Sequence, residues 1–154
     1  MKARSIRHPA NPGRVRRIAS VESPTQIGHP SVDGGRVFYT LSKRHANAIK
    51  RRSLNSGKRG TVLQSRTDEL LNPTVLGRHL LYVRVSRGPE SPQATHPRKL
   101  LQWLMLKRIG HHGSGHTVYS HGPDRRLWTT SLSGKRAFVT VLGGGGPKIV
   151  SVQR

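Results

Sequence analysis

Residues 79–86 (HLLYVRVS) carry the clearest alternation in the chain. In an extended strand, Leu81, Val83 and Val85 point one way and Leu80, Tyr82 and Arg84 the other, so the segment is predicted to be a strand. Residues 36–41 (RVFYTL) read as a second, shorter strand. From residue 117 onward the pattern breaks into short β segments, TVYSH, RLWTTSL, AFVTVL and IVSVQ. They are separated by Gly-Pro-Asp, by Ser-Gly-Lys, and by the glycine run 143–146 with Pro147 after it. That spacing predicts an antiparallel meander or small partial barrel.

Two other stretches carry helix signals. Ser42 stands as an N-cap before residues 43–54, and Asn55 and Gly57 would end the helix. At about 100° per residue, Lys43, Arg44, Asn47, Lys50 and Arg51 share one arc, and Arg52, next in sequence, joins them as a candidate RNA contact. Further on, Pro97 and Gly110 bracket RKLLQWLMLKRI, whose apolar residues surround the helical wheel and imply burial on several sides. Between them, Ser65 and Asp68 have cap-like spacing for a turn or two of helix, stopped by Pro73. The fold class expected is therefore α+β: an extended basic N-terminal arm, one or two short helices, and the C-terminal β meander. Residues 1–33, with Pro9, Pro12, Pro24 and Pro30, form the arm. Residues 34–154 form a single small domain, β-rich from about 117 onward. No internal repeat stands out.

Charge changes this picture most. The chain of 154 residues has 28 Lys and Arg against six Asp and Glu, a formal charge of +22. Such an excess opposes compaction unless a polyanion neutralises it. Twenty of the cations are Arg, the side chain that grips phosphate bidentately. Apolar content of 32% allows only a small core, against roughly 45–50% in globular domains when glycine is included. The arm carries Arg4, Arg7, Arg14, Arg16 and Arg17 with no acid before Glu22. That is the composition of a mitochondrial presequence, although Pro9 and Pro12 interrupt an amphipathic helix. An uncleaved basic arm is the reading adopted.

The sequence offers little for catalysis. Cysteine is absent, which removes disulfides, thiolate zinc sites and a cysteine nucleophile. No apolar run approaches the ~20 residues of a membrane-spanning helix. His111, His112, His116 and His121 cluster in a glycine-rich stretch without a carboxylate partner, so they are read as a polar loop facing phosphate or solvent. The six acids are scattered, and the Gly143–Gly146 run lacks the rest of a phosphate-binding loop. Neither enzyme, metal nor cofactor is expected. The aromatics Phe38, Tyr39, Tyr82, Trp103, Tyr119, Trp128 and Phe138 are assigned to the core.

The remaining chemistry is phosphate contact. Besides the arm and the predicted helical face, Lys58 and Arg59 lie in a glycine loop, Arg125, Arg126, Lys135 and Arg136 at hairpin turns, and Lys148 after the glycine run. The expected function is a structural constituent of a ribosome, holding folded rRNA beside neighbouring ribosomal proteins. No membrane or small-molecule partner is expected. The acid-poor arm points to a mitochondrial ribosome, with a bacterial or other cytoplasmic ribosome as the alternative. A viral or phage packaging protein and a DNA-compacting protein are the competing classes.

Overall fold

The apolar strand read at residues 79–86 lies in the middle of the molecule and is buried on both faces. The structure is a computed structural model that describes residues 17–43, 46–87 and 100–154. Its first sheet contains β1 (Gln26–Ile27), β2 (Ser31–Asp33), β3 (Arg36–Lys43), β4 (Ala46–Ser53) and β5 (Arg59–Ser65). β1 and β2 follow one another along the same side of β3. The second sheet is β6 (Glu69–Leu76), β7 (His79–Arg87), β8 (Leu100–Arg108) and β9 (His116–His121). β10 (Arg126–Ser133), β11 (Arg136–Leu142) and β12 (Lys148–Gln153) make the third. Each sheet is antiparallel.

The α+β expectation is therefore corrected: the described residues contain no helix, and the protein is all-β. The described residues here are Lys43, the last of β3, and β4 from Ala46 to Ser53, in which Asn47 and Ile49 point inward while Lys50 is half-buried on the opposite face. Leu100–Arg108 is β8, paired with β7 on one side and β9 on the other. A ring of apolar residues suits a helix buried all round, but it equally suits a strand sandwiched between two sheets. Ser65 does cap, its Oγ accepting from the backbone N–H of Asp68 at 3.0 Å, yet what it caps is the turn into β6. The C-terminal meander is split: β9 completes the second sheet, and only β10–β12 form the third.

The sheets stack because the second is apolar on both sides. Leu81, Val83, Val85, Leu104 and Leu106 meet Leu127, Ala137, Val139 and Val141 of the third sheet. On the reverse side, Leu80, Tyr82 and Met105 meet Phe38 and Ile49 of the first, with Leu70 and Val75. The starting strands of the three sheets also lie side by side. Ser31 Oγ accepts from Val75 N–H at 3.1 Å, and Thr74 Oγ1 donates to the Thr130 carbonyl at 2.9 Å.

This arrangement contains a repeat that the residue pattern conceals. β2–β3, β6–β7 and β10–β11 are joined by the same two-residue hairpin, closing Asp33 on Arg36, Leu76 on His79 and Ser133 on Arg136. Each has glycine at the first turn position: Gly34 (φ 53), Gly77 (φ 60) and Gly134 (φ 51). Primed hairpin turns require that left-handed geometry. Up-and-down sheets stacked face to face with their first strands adjacent follow the plan of β-propeller blades.

Tyr82 anchors the central sheet. It is fully buried, its hydroxyl donates to the Ser114 carbonyl at 2.5 Å, and burial pushes its pKa up to about 12. The nearby Arg84 opposes that shift and Asp68 adds to it. The folded chain thus holds this proton more tightly than the unfolded one, whose tyrosine titrates near 10. The stabilisation is complete below pH 10 and is lost as pH rises toward 12, by about 2 kcal/mol. Urea unfolding across that range is expected to show the decline, and Tyr82→Phe is expected to remove it while costing about 1 kcal/mol at neutral pH.

Candidate nucleic-acid interface

The hairpins set one end of the stack apart. At this end β3 begins with Arg36 and β4 finishes beside it, followed by the turn carrying Lys58 and by Arg59 at the start of β5. In the second sheet the same end carries Arg78 in the hairpin, with His79 paired to Arg108. In the third it carries Lys135 and Arg136, and the backbone N–H of Arg154 donates to the Lys135 carbonyl at 3.0 Å. Lys58, Arg59, Arg78, Arg108, Lys135, Arg136 and Arg154 are all exposed. The stack therefore gathers cations from all three sheets onto one rim.

Between the second and third sheets the rim dips into an open basin of about 400 Å³. Its lining includes His79, Arg108, His111, His112, His116 and Arg154, with Lys107 beneath. Lys107 is itself buried, and its ammonium donates to the carbonyls of His111 and Gly113, which holds the histidine loop in place. The pKa of His79 is lowered from its ordinary value, first by burial and then by the charges of Arg154 and Arg108. An anion seated among these groups would reverse the charge effect. Among the described residues no three His, Asp or Glu side chains come together as metal ligands.

Most of the acids among the described residues lie elsewhere. Asp68 and Glu69 precede or open β6, and Asp124 precedes β10, both at the far end of the stack. Asp68 is buried and engaged, its Oδ2 accepting from Arg84 Nε at 2.7 Å, while the Arg84 guanidinium stacks 5.4 Å over Trp103. At the rim, Asp33 Oδ2 accepts from Gly77 N–H at 3.1 Å.

The residues singled out from sequence divide accordingly. Lys58, Arg59, Lys135 and Arg136 reach the rim. Lys43, Arg125, Arg126 and Lys148 sit toward the opposite end, and Arg125 is half-buried against Gly143. Lys50 and Arg52 project from the outward face of the first sheet. Lys50 Nζ donates to Thr61 Oγ1 at 2.6 Å, and Arg52 Nη1 donates to the Arg17 carbonyl at 3.2 Å and to the Ile18 carbonyl. Arg51 leaves β4 on the other face, across from Gly60. The shared helical arc thus dissolves in a strand. Asn47 is also turned inward and buried, accepting from Ser42 Oγ at 2.6 Å, so it is no phosphate contact. Arg4, Arg7, Arg14, Arg16 and Arg44 lie outside the described residues.

Sequence reasoning missed Arg36, Arg78, His79, Arg108 and Arg154. Each stands next to a strand end, and the two-residue Gly-containing hairpins were the signal available for placing them together. The core assignment of Trp128 is also corrected, since that ring is 50% exposed. No family model matches the chain, and no curated protein or solved structure matches it either.

Proposed function

We propose that the protein is a structural, non-enzymatic RNA-binding component that clamps folded RNA through phosphate contacts, as ribosomal proteins do. The observation that carries this reading is the basic rim, where cations separated by tens of residues converge at one end of the sheet stack. Six acids against 28 cations leave most of that charge without an internal counter-ion. Arg and Lys spread across three sheet ends fit a surface of phosphates better than a single small anion. The histidine-lined basin adds ring N–H donors beside the rim cations. A ribosomal particle, in a mitochondrion or in a bacterial or other cytoplasm, is the setting in which such a clamp would act. The test of that setting is sedimentation with a large particle, expected to be lost after RNase treatment; a particle-sized complex that persists would overturn it.

Salt dependence tests the rim directly. Each phosphate neutralised contributes about 0.7–0.9 to the slope of log affinity against log salt. The combined variant Arg78→Ala, Arg108→Ala, Arg154→Ala is expected to make the slope for structured RNA shallower by roughly 2. Replacing Lys43, Arg126 and Lys148 at the far end is expected to change it far less. Equal effects from the two sets, read by filter binding across a salt series, would remove the rim from the proposal.

A further inference from the structure

The third sheet turns a different kind of surface outward. Leu127, Ala137, Val139 and Val141 press against the second sheet. Alternation then sends Arg136, Phe138, Thr140 and Leu142 of β11 to the opposite face. β12 adds Ile149 and Ser151 there, through their pairing with Thr140 and Phe138. Ile149 is 76% exposed and Phe138 is half-buried.

β10 brings an aromatic ring to the same face by an irregularity. Leu127 and Leu132 both pack toward the second sheet, although strict alternation would put residues this far apart on opposite faces. A bulge absorbs the difference. Leu127 pairs with Val141 and Thr130 with Val139, which leaves Trp128 and Thr129 together opposite Thr140. Both turn outward: Thr129 Oγ1 lies 2.8 Å from Thr140 Oγ1, and the Trp128 ring is 50% exposed. Bulges re-aim side chains in this way beside functional sites.

The backbone under that ring is held from a neighbouring sheet. β6 has its own bulge between Leu71 and Thr74, and the two bulges bond to one another. Asn72 Nδ2 donates to the Trp128 carbonyl, and Thr130 Oγ1 donates to the Asn72 carbonyl at 2.7 Å. Asn72 adopts φ 50, the left-handed region, at this junction. The ring is thus placed on fixed backbone and yet left half in solvent.

Charge selects the occupant. β10, β11 and β12 contain no acid, and exposed Arg126 and Arg136 stand at the two ends of the face. Arg136 Nη1 donates to Ser151 Oγ at 3.2 Å, which sets its guanidinium beside the cross-strand neighbour of Phe138. Arg136 also belongs to the basic rim. A polyanion strand held at the rim can therefore run on over Phe138 and then Trp128, about 7 Å apart along the strand direction.

We propose that this face binds unpaired nucleotides of RNA, with one base stacked on Trp128 and its neighbour on Phe138. The inference rests on the RNA-binding reading above and extends it from phosphates to bases. Aromatic rings on an open sheet suit single-stranded nucleic acid because every base has a π face. A base inside a duplex is already stacked and offers no free face to Trp128.

The experiment is fluorescence anisotropy on the full chain with two labelled RNAs, a short oligoadenylate and a fully paired duplex. Trp128→Ala is expected to weaken oligoadenylate binding by about 5- to 150-fold, the worth of one stacked base. Duplex affinity and the circular dichroism spectrum are expected to stay unchanged, because the deleted ring is half in solvent. Trp128→Phe keeps a stacking ring and is expected to recover most of the loss. Oligoadenylate affinity indifferent to Trp128→Ala would overturn the proposal and leave the rim clamp standing. So would equal losses on the two RNAs, or an RNA-free dimer that Trp128→Ala dissociates, which would assign the face to a second copy. Binding to neither RNA would remove the RNA-binding reading, and this one with it.

Discussion

Gly115→Ala is expected to lower the unfolding free energy by about 4 kcal/mol, because strain and backbone overlap act together. Gly115 closes the loop between β8 and β9 at φ +92, a region that side chains rarely enter. A Cβ at this position would overlap the Leu106 carbonyl oxygen and lie 2.8 Å from its carbon and 2.9 Å from Lys107 Cα. These are backbone atoms of a central strand, so no side chain can swing aside. The chain's remedy is to part β9 from β8 where Leu106 pairs with His116. That movement also pulls at Ser114, the acceptor for Tyr82, and at the loop carbonyls held by Lys107. Thermal unfolding should show the loss, with exchange of the β9 amides accelerated first. Wild-type stability in this variant would mean that the loop takes another path.

Leu80→Ala and Leu81→Ala are each expected to cost about 3 kcal/mol, the middle of the range for emptying a buried leucine site. Both residues are fully buried, but they belong to different apolar clusters on opposite faces of β7. Their cavities share no side-chain neighbour, so the double variant is expected to lose about 6 kcal/mol. That is comparable to the whole stability of a typical domain, about 5–15 kcal/mol. Denaturant unfolding of the two single variants and the double variant reads this directly. A double variant barely worse than either single one would mean one shared core, contradicting a stack of three sheets.

β7 was legible because its Tyr and Val residues, with Arg84 set among them, favour a strand, and β3 and β10–β12 were legible from similar aromatic and β-branched runs between turn residues. β8 was not. Burial on both faces removes the polar period that separates a strand from a buried helix, and the Leu and Met of β8, unlike the Val and Tyr of β7, tip what is left toward helix. β4 was misread for a different reason. It belongs to the terminal sheet, whose outward face carries Lys50 and Arg52, so its mixture of charge and small apolar residues imitates an amphipathic helix. The repeat is concealed in the sequence because its units share little beyond a hairpin glycine and a few apolar positions.

The candidate interface divides along the same line. Excess charge, its arginine character and the absence of cysteine are properties of composition, and no fold alters them. Strand alternation is local too, since the pleated extended backbone turns successive side chains to opposite faces. The gathering of Arg78, Arg108 and Arg154 at one rim required antiparallel pairing, which brings distant strand ends together. The removal of Asn47 from the interface required the same pairing, because register assigns each residue to an inner or an outer face. Short-range pattern therefore determined the charge and the strands, whereas long-range pairing and sheet stacking decided where that charge could act.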